Sequence, residues 1–301
     1  MIRLGLCCIF KDQPISFRRT TARFLSGLPA RDRRRRLSDI CLSNADSLKK
    51  SLEYCHAAGI GDFRVNSQIL PLKTHPDVGY DIADLPDAEQ IVKAFKSCGT
   101  FAKIHHIRTT FHPDQFIILS SPDPTVVARS IADLNYQAQV AGWVHADVIN
   151  IHAGGVYGDK TSALARLMNT IRGLAPAVRK RLTLENDDIS YSPADLLPVC
   201  EKMKIPLVYD VHHHRCLPDG LTVEEATGRA IRTWNREPLF HVSSPKNGWR
   251  SADIRPHHDF INWKDFPASW LALDLTVEVE AKAKELAVLK LKKDLRKRYP
   301  G

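Results

Sequence analysis

A residue type that binds metal ions ends each of the apolar runs IRTTFH (107–112), DVINIH (147–152), RLTLE (181–185), IPLVYD (205–210), PLFH (238–241) and LTVEVE (275–280). From one end residue to the next, the chain advances by 40, 33, 25, 31 and 39 residues, and one βαβ unit needs about 30. The end residues are therefore spaced like the carboxyl ends of successive parallel strands. In a β/α barrel those ends meet at one mouth, where the active site lies. The runs predict a metal-binding cup at such a mouth.

Eight candidate strands alternate with seven helical patterns along the chain. The predicted strands span residues 2–7, 62–66, 104–110, 147–152, 181–185, 205–210, 238–242 and 276–280. The predicted helices span residues 44–58, 86–98, 123–141, 160–178, 192–204, 222–232 and 282–297, with at most a short helix near 261–268. This alternation predicts a parallel sheet, and eight strands without a GxGxxG or P-loop motif predict a closed (β/α)8 TIM barrel. We expect one domain over residues 1–301, ending in a basic helix and tail at about 282–301.

The chain is strongly basic, with a formal net charge of +9 and a pI near 9.2. Part of the excess lies in the runs RDRRRR (31–36) and KLKKDLRKR (290–298). Taken alone, either run is also typical of a solvated helix face or a chain terminus. In combination with a metal cup, the excess favours a polyanionic partner, above all nucleic acid.

The cysteines and the hydropathy pattern bear on location. The seven cysteines are an odd number without a CxxC pair, which is typical of a reduced cytosolic protein whose cysteines mostly pack in the core. No run of 18 apolar residues exists, so we expect no membrane span. The opening MIRLGLCCIF lacks a signal-peptide cleavage site and fits a first strand better. These features predict a cytoplasmic protein, associated with the nucleoid if the source is bacterial.

The residues of the predicted cup are histidines and carboxylates, without thiolates. Such a set suits Mn²⁺, Zn²⁺ or Fe²⁺. Two ions about 3.5–4 Å apart would clamp the attacking and leaving oxygens of a phosphodiester, whereas the same residues in a different enzyme would bind the hydroxyls of a sugar. The basic runs favour the phosphodiester. Two histidine clusters, 212–214 in YDVHHH and 257–258 in RPHHDF, leave the choice of ligand open, because neighbours in an extended segment point in opposite directions.

Six motifs, in order along the chain, resemble the UV damage endonuclease family. They are FRVNSQILPLKTHPDVGYD (63–81), FHPDQF (111–116), INIHAGGVYGDK (149–160), LTLENDD (182–188), YDVHHH (209–214) and VEVEAKAKE (277–285). The resemblance covers most of the chain, from about residue 44 to residue 285. It implies a barrel related to endonuclease IV and, more distantly, to xylose isomerase. It also implies an Mn²⁺-dependent enzyme that nicks DNA on the 5′ side of UV photoproducts and some other lesions.

The resemblance also implies a set of metal ligands for two or three ions, with Mn²⁺ preferred and Zn²⁺, Mg²⁺ or Co²⁺ as alternatives. These ligands are His112, His152, Glu185, Asp210, His213, His241, His258 and Glu280. Glu185 and Lys160 are expected to act in catalysis, Lys160 by stabilising charge on the phosphate. An exposed lysine at a helix start is the alternative interpretation of Lys160.

Two further pairs are expected to contact DNA. The resemblance places Gln115 and Phe116 in the gap left by a lesion that is extruded from the duplex, and an aromatic wedge suits that role. The alternative for Phe116 is ordinary core packing. Arg64 and Gln68, in FRVNSQ, are expected to hold backbone phosphates.

Three positions depart from the family's pattern. Leu6 stands where many members have an aromatic residue at the end of strand one, and Phe116 stands where many have tyrosine. Leu239 occupies the position of a lysine that can be carboxylated and contact the metals. Any bridging of metals at Leu239 must therefore come from water or another side chain, if it occurs.

The leading hypothesis is a metal-dependent DNA repair endonuclease that acts as a monomer on double-stranded DNA with UV photoproducts or other lesions. A second is an abasic-site endonuclease of the endonuclease IV type. A third, from another class, is a sugar isomerase or epimerase, which would not need the basic runs. A fourth is a non-catalytic DNA-binding relative, which the intact ligand set disfavours.

Overall fold

Eight parallel strands close into a barrel in the order β1 to β8 in the computed structural model, which describes residues 2–299. The strands are β1 (Ile2–Cys7), β2 (Asp62–Val65), β3 (Arg108–Phe111), β4 (Val148–His152), β5 (Leu182–Glu185), β6 (Leu207–Asp210), β7 (Leu239–Val242) and β8 (Leu275–Val279). The predicted TIM barrel is thereby confirmed. The predicted domain also included Met1, Pro300 and Gly301, which lie outside the described residues.

Helices cover the outside of the barrel. They are α1 (Ala22–Ser26), α2 (Ala30–Ala58), α3 (Ala88–Ile104), α4 (Pro124–Trp143), α5 (Lys160–Arg172), α6 (Pro176–Arg179), α7 (Pro193–Met203), α8 (Val211–Cys216), α9 (Val223–Arg232) and α10 (Glu285–Arg298). Two short 3-10 helices, Trp263–Asp265 and Ala268–Ala272, lie in the long connection between β7 and β8. Within residues 2–299, no helix combines the length and apolar character that a membrane crossing requires.

Several predicted boundaries are wrong. The helix predicted over residues 160–178 ends at Arg172 and is followed by the separate α6. Helix α2 begins at Ala30 rather than at residue 44, because the arginine run is helical and Arg35 pairs with Asp39 one turn later at 3.3 Å. The third strand begins at Arg108 rather than at residue 104. Helix α3 continues to Ile104, and His106, at φ 53°, makes the left-handed turn between them.

Part of the barrel interior changes from apolar to polar towards the mouth. Val148, Val208 and Leu239 form a small buried cluster on β4, β6 and β7. Two residues further along β4 and β7 stand Asn150 and His241, both buried. Since side chains two residues apart on a strand point to the same face, the inward columns of β4 and β7 change from apolar to polar as they approach the mouth.

A buried carboxylate holds the long loop between β1 and α1. Glu285, the first residue of α10, is fully buried and accepts hydrogen bonds from the backbone N–H groups of Lys11, at 2.8 Å, and Asp12, at 2.7 Å. From the other side, the buried amide of Asn44 on α2 bonds the backbone N–H and carbonyl of Arg18. The loop is therefore tied to two helices that are far apart in sequence.

We predict that Glu285→Ala lowers the free energy of unfolding by about 2 kcal/mol, because two enclosed backbone donors lose their acceptor at about 1–3 kcal/mol each, part of which water restores. Glu285→Gln keeps an acceptor oxygen and should cost less. Guanidinium denaturation measures both, with Glu53→Ala on the exposed face of α2 as the control. Equal midpoints for Glu285→Ala and Glu53→Ala would contradict the anchoring role.

Candidate metal centre

Six strand ends bring the candidate metal ligands together at the mouth, where their spacing predicted them to lie. His152, Glu185 and Asp210 are the last residues of β4, β5 and β6, His241 lies within β7, and His112 and Glu280 directly follow β3 and β8. In three overlapping groups, one nitrogen or oxygen atom from each member lies within 4.8 Å of the others. The groups are His112–His152–Glu185, His112–His241–Glu280 and Glu185–Asp210–His213.

Glu185 is the centre of this cluster and is fully buried. Its carboxylate oxygens lie 2.9 Å from His112 Nε2, 3.0 Å from His241 Nδ1, 3.4 Å from His213 Nδ1 and 4.0 Å from His152 Nε2. Burial raises the pKa of Glu185, but the charges of His241, His152 and His112 outweigh burial and hold the pKa well below its usual value. The centre of the cup is therefore an ionised carboxylate within a ring of imidazoles.

The segment VHHHRC forms the short helix α8, not an extended strand end, and this decides which histidine enters the cup. Asp210 caps the helix, and its Oδ1 accepts a hydrogen bond from the backbone N–H of His213 at 2.8 Å. The helical turn brings His213 Nδ1 to 3.7 Å from Asp210 Oδ2. Asn186 reinforces the arrangement, since its side chain bonds both the backbone N–H and the carbonyl of Asp210.

The two other histidines of α8 have partners elsewhere. His212 Nε2 is 3.2 Å from the backbone carbonyl of Arg255, and His214 Nε2 is 2.9 Å from the carboxylate of Asp219. Because a helix rotates about 100° per residue, three successive side chains cannot share one face. Of the three candidates, only His213 joins the cluster.

In the loop after β7, the structure brings His257 to the cup instead of His258. His257 Nδ1 lies 3.8 Å from Glu280 Oε2, and its ring centre is 6.1 Å from that of His213. His258 is exposed, and its Nδ1 lies 2.9 Å from the backbone N–H of Phe260, within the loop itself. The candidate metal ligand from this loop is therefore His257, and the prediction of His258 is corrected. The sequence could not separate two adjacent histidines in an irregular loop.

Arg64 does not face DNA. Its side chain is only 8% exposed, and its guanidinium forms ion pairs with Glu278 and with Glu280, the latter at 2.7 Å. The expectation that Arg64 holds a backbone phosphate is thus corrected, because its donors are already used by buried carboxylates. The guanidinium lies beneath the cup and fixes the carboxylates of Glu278, on β8, and Glu280, directly after it.

The structure reveals a supporting carboxylate that the sequence reasoning missed. Glu278 Oε2 lies 3.0 Å from His241 Nε2, and its Oε1 accepts a hydrogen bond from Thr110 at 2.5 Å. Burial raises the pKa of Glu278, but Arg64 and His241 outweigh burial and lower it to about 2. Glu278 therefore orients the ring of His241, whose Nδ1 faces Glu185. Its position two residues before Glu280 was the available signal, since both must point into the barrel.

Leu239 lies below the level of His241 and Glu278, in the apolar cluster with Val148 and Val208. It is 1% exposed and carries no atom that can bind a cation. Glu278, on the neighbouring strand, is the carboxylate that lies against His241 at this level of the barrel.

The predicted probing pair lies at the surface of the loop that follows β3. Gln115 is exposed and Phe116 is 75% exposed, so core packing does not explain Phe116. The next residue, Ile117, is buried and anchors the loop. Gln68 is also exposed and donates a hydrogen bond to Asp114 in this loop at 2.9 Å. Leu6 is fully buried and cannot join the exposed pair.

Lys160 begins α5 at the edge of the mouth. Its Nζ lies 2.7 Å from Asp195 Oδ2 and 5.5 Å from the ring centre of Tyr191. Its side chain is partly exposed. A catalytic role for Lys160 would require the ion pair with Asp195 to open.

The donor set of the cup fits divalent cations. Its atoms are imidazole nitrogens and carboxylate oxygens, the ligands that Mn²⁺, Fe²⁺ and Zn²⁺ accept. Two buried atoms of the cluster, Asp210 Oδ2 and His152 Nδ1, have no hydrogen-bond partner within residues 2–299. Since buried polar atoms normally have partners, unpaired atoms within a ligand cluster support a cation site.

A closed β/α barrel with such a cup is the architecture of a metal-dependent enzyme. The chain belongs to the UV-endonuclease family UvdE, whose sequence profile matches residues 2–299. This confirms the resemblance carried by the six motifs.

Similar proteins agree with this assignment. The UV DNA damage endonuclease of Bacillus velezensis is 34% identical over 289 residues, which cover 92% of this chain and 87% of the relative. The crystal structure of SacUVDE covers 99% of both chains with a TM-score of 0.88 at 28% identity. Endonuclease IV from Thermus thermophilus has a TM-score of 0.60 at 16% identity over 83% of this chain and 93% of that chain, a likeness of fold alone.

We predict that Glu278→Gln weakens binding of Mn²⁺ by about tenfold, because partners that orient a metal-binding histidine typically contribute about 10–100-fold to metal affinity. Isothermal titration calorimetry on the folded protein measures this directly, and circular dichroism checks the fold. Glu53→Gln, on the exposed face of α2, serves as the matched control. An unchanged affinity for Glu278→Gln would show that Glu278 only balances the charge of Arg64.

Proposed function

We propose that this chain cuts the DNA backbone on the 5′ side of UV photoproducts, with divalent ions bound in the cup and Mn²⁺ as the preferred ion. As a member of its family, the chain is a DNA repair endonuclease for UV damage and thus a phosphodiester hydrolase. The observation that carries the proposal is the cluster centred on Glu185, with the exposed Phe116 on a loop of the same mouth.

The proposed ligands follow the geometry of the cup. They are His112, His152, Glu185, Asp210, His213, His241, His257 and Glu280. Bound divalent ions would supply Lewis-acid stabilisation of charge on the phosphate and would lower the pKa of a coordinated water. The protein supplies fixed positions: Asp210 is held by α8, His241 by Glu278, and Glu280 by Arg64.

The two basic runs lie at opposite ends of the barrel. In a β/α barrel the helices run antiparallel to the strands, so the arginine run at the start of α2 lies on the side of the mouth. The run in α10 lies at the other end, where Lys292 Nζ bonds the backbone carbonyl of Ala58, at the end of α2. We therefore assign contacts with DNA phosphates to the α2 run and not to the α10 run.

The loop after β3 would recognise the damage. Extruding a lesion leaves an unstacked gap, and inserting an apolar side chain recovers part of the lost stacking. Phe116 is exposed while its neighbour Ile117 is anchored in the core, so the loop can present the ring without losing its own support. Gln115 would add hydrogen bonds at the same gap.

We predict that Glu185→Gln abolishes incision and leaves the fold intact, because it removes the central negative charge of the cup but almost no volume. The assay is cleavage of an end-labelled duplex with one photodimer in Mn²⁺, where a chelator should abolish the wild-type activity. Glu201→Gln, exposed on α7, is the control. Cleavage by Glu185→Gln at the wild-type rate would remove Glu185 from the proposed ligands.

We predict that replacing Arg31, Arg34 and Arg36 together by alanine flattens the salt dependence of binding to damaged duplex. Each phosphate contact contributes about −0.9 to the slope of log K against log salt, so loss of two contacts should reduce the slope by about 2. Alanine at Lys293, Arg296 and Lys297 removes the same charge from the exposed surface of α10. Equal effects of the two triple variants would contradict the assignment to the α2 run.

We predict that Phe116→Ala weakens binding to a photodimer duplex by about one to two decades, since stacking on a base contributes about 1–3 kcal/mol and a decade corresponds to about 1.4 kcal/mol. Bound Mn²⁺ and affinity for undamaged DNA should stay unchanged, and Phe116→Tyr should bind as the wild type does. An abasic-site duplex should be affected less, because extrusion there costs less. An equal loss on damaged and undamaged DNA would reject the probing role.

A further inference from the structure

Exposed large apolar side chains concentrate in the loops that follow strands. Within residues 2–299 they are Ile9, Phe24, Ile104, Phe116, Tyr157, Ile189, Trp249 and Tyr299. Five of the eight lie in loops after β1, β3, β4, β5 and β7, which surround the mouth. Apart from Phe116, the most exposed of these five is Ile189, at 66%.

The loops after β3, β4 and β5 are bonded to one another. Ser120 Oγ donates to the backbone carbonyl of Ala153 at 2.7 Å, and a Cβ at Gly154 would lie 2.6 Å from the same hydroxyl. The Tyr191 hydroxyl then donates to the backbone carbonyl of Gly155 at 3.2 Å. Phe116, Tyr157 and Ile189 therefore project from three loops that are fixed relative to each other.

The loop that carries Ile189 is built to present it. Both carboxylate oxygens of Asp187 accept backbone N–H groups, from Ile189 at 2.8 Å, from Ser190, and from Tyr191 at 3.2 Å. The backbone N–H of Asp187 in turn donates to the carbonyl of Tyr191 at 2.9 Å. A tight and fully bonded turn thus holds an isoleucine side chain in solvent.

Tyr157 is held in a comparable way. Its φ of 50° is left-handed, a conformation that a residue with a bulky side chain rarely adopts. The Arg166 guanidinium lies 5.7 Å from its ring centre, and the ring remains 46% exposed. Backbone strain that the surrounding structure maintains is typical of functional positions.

We propose that Ile189 and Tyr157 form a second apolar contact with DNA, against the unpaired bases of the complementary strand opposite the extruded lesion. Extrusion leaves two unstacked surfaces, the gap in the damaged strand and the bases that lose their partners. Phe116 can fill only one of them. This inference rests on the proposed function, since it requires a damaged duplex at the mouth.

Charge near this contact is compatible with DNA. Arg166 and Lys160 flank Tyr157 and Tyr191. The acidic neighbour Asp187 directs its oxygens to three backbone N–H groups. The neighbouring Asp188 adds a negative charge, which favours contact through base faces over contact through phosphates.

The test compares two isoleucines with equal exposure. Ile104 is 65% exposed but ends α3 directly before β3, at the end of the barrel away from the mouth. Ile189→Ser and Tyr157→Ser should each weaken binding to a photodimer duplex by about tenfold, and Ile104→Ser should not. This magnitude corresponds to the loss of one aromatic base contact for Tyr157 and of one buried apolar side chain for Ile189. Binding is measured by fluorescence anisotropy with Mn²⁺ replaced by Ca²⁺ to limit cleavage.

A single-stranded oligonucleotide with the same photodimer completes the test. There Ile189→Ser should bind as the wild type does, because no complementary strand is present, whereas Phe116→Ala should still bind more weakly. If Ile189→Ser loses affinity equally on both substrates, Ile189 contacts the damaged strand and the proposal is overturned. Wild-type affinity of Ile189→Ser for the duplex would also overturn it. If the wild-type protein neither binds nor cuts the damaged duplex, the proposed function itself fails.

Discussion

The buried carboxylate of Glu185 organises the mouth of this barrel. Ionised carboxylates are costly to bury unless close partners compensate them, and here four imidazoles lie within 4.0 Å of the carboxylate. Burial lowers the pKa of His241, but Glu185 and Glu280 outweigh burial and raise it to about 10. The pKa of His213 is also raised, by Asp210 and Glu185, whereas burial lowers the pKa of His152. His241 and His213 are therefore the imidazoles that balance the buried carboxylates.

Polar residues in the barrel interior below the cup also compensate the buried carboxylates. Arg64 compensates Glu278 and Glu280, and Asn150 donates a hydrogen bond to Glu185 at 2.5 Å while accepting one from Thr183 at 2.9 Å. These residues come from β2, β4, β5 and β8. The geometry of the candidate metal centre therefore depends on the register of several strands of the barrel. The site is a property of the closed sheet and not of any one loop.

The strand ends were predictable because the periodicity of strand and helix places them. Most of the cup was found in this way, and Glu185 and Asp210 needed no knowledge of the loops. The choices between neighbouring histidines depended on local geometry, which the sequence does not give. Because α8 is helical, only His213 of its three histidines faces the cup. His257 and His258 are adjacent in an irregular loop and could not be separated. The prediction that Arg64 binds a phosphate was wrong for another reason, because a basic residue in a basic protein suggests a contact with DNA. Its burial against two carboxylates follows only from barrel closure.

The apolar cluster of Val148, Val208 and Leu239 lies below the cup, one inward position before Asn150 and His241. Glu185 is the last residue of β5, so an ion bound beside it would lie at the mouth. A duplex lying across that mouth would cover the ligands, and we therefore expect bound ions to exchange more slowly while the duplex is in place.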